Sequence, residues 1–134
     1  MNRERPIQRA VVSYLRYALP NAIVHHSVNE QALSGRDRRG AAIAMRNAKL
    51  DGMLAGFPDV IVLPPSHMPV MLFEVKSEGG RLRAEQKAMN AALRKLGYLI
   101  AVVRSVDDVR EALADWGIPT REAVKKIPMK GTIT

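Results

Sequence analysis

The stretch that most constrains this 134-residue sequence is a pair of short apolar runs separated by prolines. Val60-Ile61-Val62-Leu63 and Val70-Met71-Leu72-Phe73 have strand length and composition, and Pro64, Pro65, Ser66 and Pro69 supply turn residues between them. An antiparallel hairpin is expected. If Leu63 pairs with Val70, Asp59 falls opposite Glu74. Directly opposed residues have Cβ atoms roughly 4.5–5.5 Å apart, so two acids there repel unless positive charge lies between them. Lys76, two residues past Glu74 and therefore on the same strand face, joins the pair. Phosphodiester cleavage needs such parts: oxygen ligands for Mg²⁺ or Mn²⁺, a water made nucleophilic by the metal, and a cation near the attacked phosphate. A Glu-x-Lys triplet alone is usually a solvated strand end. The Pro58-Asp59 step, the register and the apolar frame distinguish this one.

Lys and Arg total 21 against 13 for Asp and Glu, a formal net charge of +8, which favours a polyanionic partner and nucleic acid first. The absence of cysteine excludes disulfides, a thiol nucleophile and a Cys-based zinc site. No apolar run approaches the ~20 residues of a transmembrane helix, and no leader-like pattern opens the sequence. A cytoplasmic protein without a membrane partner is expected, with one domain over residues 1–117 and a tail over 118–134. Lys125, Lys126 and Lys130 in that tail, spaced by apolar residues, suit either docking on a second subunit or an unattached segment.

Ile7, Val11, Leu15 and Ala18 recur at helical spacing from about Glu4 to Leu19. Pro6 is tolerated in a first turn, so this helix can begin upstream of it with Asn2 as a cap. Two readings stay open for Glu4, a solvated residue or a member of the site, and the start of the helix decides between them. Ala22–Val28 reads as a strand with His25 and His26 on opposite faces. A His-His-x-x-Asn pattern would suit another class of metal nuclease, but further ligands are missing downstream.

Between Asn29 and Gly56 lie Arg36, Arg38, Arg39, Arg46 and Lys49, with a helix expected over Ala41–Leu50. That face is either merely solvated or contacts the phosphates of DNA, and DNA contact is the reading adopted. After the Ser77-Glu78-Gly79-Gly80 turn, a helix over Arg81–Leu96 carries the apolar stripe Leu82, Met89, Leu93 and Leu96. Gln86 falls on that stripe, where a buried amide needs partners, and the acids and Lys76 are near in sequence; the alternative is a boundary residue facing solvent. Arg81, Arg83 and Lys87 add positive charge at the same helix end. Tyr98–Val103 has the continuous apolar character of a doubly covered central strand. Ser105 and Asp108 suit the cap of a last helix carrying Val106, Val109, Leu113 and Trp116, with Trp116 read as core.

Taken together, Gly56-Phe57-Pro58-Asp59, Glu74-Val75-Lys76, Gly80-Arg81-Leu82, Gln86, and Gly97 followed by Val102-Val103-Arg104-Ser105 resemble the virus-type replication-repair nuclease (VRR-NUC) branch of the PD-(D/E)xK superfamily. The resemblance implies an α/β restriction-endonuclease-like core, a mixed central sheet flanked by helices. It also implies Mg²⁺- or Mn²⁺-dependent cleavage of DNA in a phage or prophage setting, in a bacterial or phage-infected cytoplasm. Carried over by position, Asp59, Glu74, Lys76 and Gln86 form the catalytic set, and Glu4, Asp59, Glu74 and the backbone carbonyl of Val75 form the metal set. Pro6 at the opening of the first helix departs locally from the pattern and leaves the aim of Glu4 open. A homodimer acting on branched DNA, the Holliday junction above all, is the expected arrangement. The competing readings are a non-catalytic DNA-binding or recruiting module with the same fold and a nuclease acting on RNA. With two Phe and one Trp, the chain offers little stacking surface for single-stranded RNA.

Overall fold

The structure is a computed structural model that describes residues 3–27 and 37–122. Helix α1 spans Glu4–Ala18 and starts ahead of Pro6, as the early-start reading required. Pro6 is the third helical residue, where no N–H needs an intrahelical acceptor, so the ring costs the helix nothing. Asn2, the expected cap, lies outside the described residues. α1 buries Val11, Tyr14, Leu15 and Ala18.

Strands β1 (Ile23–His26), β2 (Val60–Leu63), β3 (Met71–Val75) and β4 (Leu99–Val103) form one mixed sheet in the order β1-β2-β3-β4. β1 and β2 are antiparallel, β2 and β3 are antiparallel, and β3 and β4 are parallel. The hairpin register pairs Val60 with Phe73, Ile61 with Leu72 and Val62 with Met71, so one further step along the same register sets Asp59 against Glu74. β4 is not central as expected: it is the edge strand, next to β3 alone among the described residues. Its apolar composition has another cause. The crossover from β3 through helix α3 (Ala84–Lys95) brings β4 to the open side of β3, and helices cover both of its faces. Ile100 packs with Leu93 of α3, while Val103 packs with Val109 and Leu113 of helix α4 (Val106–Asp115).

Strand alternation divides the two cores. Met71, Phe73 and Val75 face α1 and α4 in the larger cluster, with Phe73 against Trp116 at 5.6 Å between ring centroids. Leu72 faces α3 in the smaller one, and Glu74 shares its face. Ile118 joins the larger cluster and Thr120 is buried, so packing continues past Gly117. Lys125, Lys126 and Lys130 lie outside the described residues.

Helix α2 spans Arg38–Leu50, three residues longer at its start than expected, because Asp37 Oδ1 accepts from the Gly40 N–H at 2.6 Å. α2 buries none of its residues. α3 begins at Ala84 rather than Arg81, since Arg83 is extended and acts as the cap. Leu96 consequently sits past the helix end, 73% exposed, instead of on the buried stripe. Ser105 caps α4 by accepting from the Asp108 N–H, as its spacing suggested.

Candidate active site

Asp59 is the residue just before β2, and the chain reaches it through a tight approach. Gly56 has φ +78° and lies so close to the first turn of α3 that an added Cβ would clash with the Glu85 carbonyl. Only glycine meets both demands there. Neighbouring strands then fix Asp59 from either side: its Oδ2 accepts from the Val75 N–H at 2.8 Å, and its backbone carbonyl accepts from the Ser27 N–H at 2.7 Å. His26 Nδ1 approaches that carbonyl at 3.1 Å, and because a carbonyl only accepts, Nδ1 carries the proton.

Glu74 is 1% exposed. Its position on the α3 side of the sheet brings Oε2 within 2.9 Å of the Gln86 Nε2 donor. Gln86 is held in turn, since its Oε1 accepts from the Arg83 N–H at 2.8 Å and closes the first turn of α3. One amide thus caps the helix and aims a carboxylate. Lys76 leaves the end of β3 with its N–H on the Val103 carbonyl at 3.0 Å, and its Nζ lies 4.0 Å from Glu4 Oε2 on α1. Asp59, Glu74, Lys76 and Gln86 are all buried and belong to one neighbourhood, with Glu4 at its margin.

Placing two carboxyls together away from water raises the cost of charging them. Glu74 is pushed up to about 9, first by burial, then by the charge of Asp59 and by the proton it shares with that carboxyl. Asp59 is raised by burial too, with the hydrogen bonds from Glu74 and the Val75 N–H pulling the other way. Lys76 lowers both and one lysine leaves the pair raised. Glu74 Oε1 is buried with no hydrogen-bond partner, an acceptor left open to a donor or a cation.

These features fit a hard divalent cation. The donors are carboxylate oxygens, one of them unpartnered, and a cation between them would restore both acids to their charged form. Among the described residues no three His, Asp or Glu side chains gather closely enough to form a ligand set alone. Glu4 lies against Lys76, and Val75 is bound to Asp59 through its N–H.

A family model for the VRR-NUC domain matches residues 2–107. The chain belongs to the VRR-NUC family. Two solved structures share the fold: a "VRR_NUC domain protein", 19% identical with a TM-score of 0.62 over 87% of this chain and 88% of that one, and a "VRR_NUC domain", 20% identical with a TM-score of 0.56 over 86% and 97%. No curated protein matches the sequence. The mixed sheet flanked by helices is the restriction-endonuclease-like α/β arrangement. The VRR-NUC domain is a nuclease-type domain whose substrate class is DNA.

In this VRR-NUC domain the basic residues expected to contact DNA fall into two groups. Arg81, Arg83 and Lys87 are exposed around the first turn of α3, beside the Gln86 that binds Glu74. Arg38, Arg39, Arg46 and Lys49 are exposed on α2, and Arg36 lies outside the described residues. The spacing of the sequence missed two contributors. Arg104 Nη1 donates to the carbonyls of Ser77 and Gly80, both at 2.7 Å, and so clamps the turn that follows Lys76. Its place in the family motif was the signal available, although that did not reveal its partners. His26 is the second, and its contact with Asp59 depends on the β1–β2 pairing, which no local pattern reveals.

Proposed function

We propose that this domain hydrolyses DNA phosphodiester bonds with a divalent metal held by Asp59 and Glu74. The observation that carries the reading is the buried Asp59–Glu74 pair beside Lys76, with the Glu74 Oε1 acceptor unpartnered. When bound, Mg²⁺ or Mn²⁺ supplies Lewis acidity at a phosphoryl oxygen and acidifies a water. The protein's own groups do the positioning. Gln86 holds Glu74 in one orientation, and the Val75 N–H holds Asp59. Lys76 presents its ammonium at the centre, where it orients the attacking water and offsets charge gathering on the phosphate, while Glu4 keeps that ammonium from swinging away. The Val75 carbonyl and Glu4 are the remaining oxygen donors within the expected metal set.

The substrate we propose is branched DNA, with the four-way junction first, in phage or prophage replication and repair. A two-fold junction would be matched by a homodimer. Support for this finer part is family resemblance. A cleavage panel of four-way junction, flap, nicked duplex, linear duplex and single strand, each with Mg²⁺ and with Mn²⁺, tests chemistry and substrate together. Cleavage of the junction in preference to linear duplex is expected. Asp59→Ala and Lys76→Ala should each lower the single-turnover rate by at least about a thousandfold while DNA binding and the melting transition persist. Binding without cleavage under both metals would instead favour a recruiting module.

A further inference from the structure

A second feature adjoins the acidic centre on the side away from α3. An open-sided groove of about 520 Å³ runs along α1, lined by Arg5, Gln8, Arg9, Ser13 and Arg16, with His26 of β1 along its side. The α1 residues fall at intervals of three and four, so they form a single stripe on the helix. That stripe is distinct from the buried one of Val11, Tyr14, Leu15 and Ala18, which anchors the helix to the sheet. The groove therefore has a fixed wall. Arg16 is set by a 3.0 Å hydrogen bond from Nη2 to the Val24 carbonyl, which uses one of five guanidinium donors.

Chemistry and position point to the same occupant. Among the described residues three guanidinium groups line the groove, no Asp or Glu does, and Val12 is its only apolar side chain. Such a lining selects a polyanion with little apolar surface. From Arg5 to Arg16 the helix rises about 16 Å, the length over which one strand of a duplex presents roughly five phosphates. The inner end is adjacent to the chemistry, because His26 contacts the Asp59 carbonyl and Glu4, the residue before Arg5, lies against Lys76.

We propose that the α1 groove, through Arg5, Arg9, Ser13, Arg16 and His26, holds the phosphodiester backbone of one nucleic-acid strand and leads it to the Asp59–Glu74 centre. The inference rests on the nuclease reading for the strand's destination and on the groove itself for binding. Its contacts are to phosphate, so they position the strand without reading base sequence. None of these residues belongs to the basic segments picked out from the sequence. Arginines at helical spacing on an otherwise core-forming helix look like its solvated face.

The test is anisotropy of a fluorescein-labelled duplex with the full chain in chelator, across a range of NaCl, alongside cleavage in Mg²⁺ and Mn²⁺. Arg9→Ala should weaken binding several-fold and lower the slope of log K against log salt by about 0.9, the loss of one phosphate contact. Arg9→Lys should retain most of the slope. Ser13→Asp, which places a negative charge in the groove, should weaken binding at low salt most. Lys95→Ala, at the far end of α3 on the opposite face of the sheet, should change neither quantity. If wild type binds and cuts while Arg9→Ala and Ser13→Asp keep wild-type affinity and slope, the groove proposal falls and the nuclease reading stands. If wild type cuts nothing yet its binding depends on Arg9 and Ser13, the nuclease reading falls and the groove stands. A wild-type protein that fails to bind the duplex at low salt overturns the groove.

Discussion

Helices α1 and α2 are both basic and amphipathic, and they lie on either side of β1 in sequence, yet the fold uses them differently. α1 carries three arginines and buries four residues in the main core. α2 carries three arginines and a lysine and buries none, leaving Ile43 53% exposed and Leu50 74% exposed. The sequence concentrates positive charge around α2, and DNA contact was expected there. Burial fixes α1 against the acidic centre, with Glu4 at Lys76 and an arginine stripe leading outward. Charge density reports how strongly a segment attracts phosphate. Packing decides where that attraction is held.

Stability should separate the two helices most. Leu15→Ala removes a fully buried side chain and is expected to cost about 2–5 kcal/mol in urea unfolding, whereas Ile43→Ala should stay within about 0.5 kcal/mol. Equal losses would mean that α2 is covered by something in solution and would break the contrast. Catalysis comes next. Glu4→Gln removes the carboxylate facing Lys76 and should slow single-turnover cleavage about tenfold to a hundredfold, the range for outer partners of a metal site. Arg46→Ala on α2 should leave that rate, at saturating DNA, within about twofold of wild type.

The anchoring of α1 also bears on pH, because Glu4 adds to the charges that raise Asp59 and Glu74. With a folded-state value of about 9 for Glu74, the native state binds more protons than the unfolded chain between the ordinary carboxylate range and pH 9. Stability of the metal-free protein therefore falls as pH rises through that window. Glu74→Gln removes the titrating group, so the variant's advantage over wild type in urea unfolding should grow with pH by at most about 1.4 kcal/mol per unit. An advantage that shrinks with pH would show that the acids are already compensated by the protein.

How much of this was legible beforehand follows the range of the interactions. The Asp59–Glu74 apposition could be read because a hairpin is local and its turn residues set the register, and Glu74 with Lys76 needed only strand alternation. Gln86 could be placed because helical periodicity put a polar amide on a buried face. Contacts across distant elements could not be read. His26 reaches Asp59 through strand pairing between residues far apart in sequence, and Arg104 reaches Ser77 and Gly80 only because β4 lies parallel to β3. β4 itself misled, since two covering helices give an edge strand the composition of a central one. The α1 groove escaped for a related reason: its stripe becomes a wall only when β1 lies beside it.

The smallest effect tests the comparison most directly, because it asks whether charge on an unburied helix counts at all. A DNA strand that met α2 would have to fix a helix with no buried residue on top of about 0.5–1.5 kcal/mol for each long side chain immobilised, whereas Arg9 on the anchored α1 carries only the second cost. The two costs together offset most of a single phosphate contact. Arg46→Ala is therefore expected to weaken duplex binding by about twofold or less and to change the salt slope by well under the ~0.9 of a full contact, against nearly the full value for Arg9→Ala. Both variants change one exposed arginine to alanine on a helix of the same fold, so general loss of net charge affects them alike and the difference between them isolates position. If Arg46→Ala lowers the slope as much as Arg9→Ala, α2 is held on the DNA in the complex. Its exposed Ile43 and Leu50 would then be the surface to examine for what fixes it there.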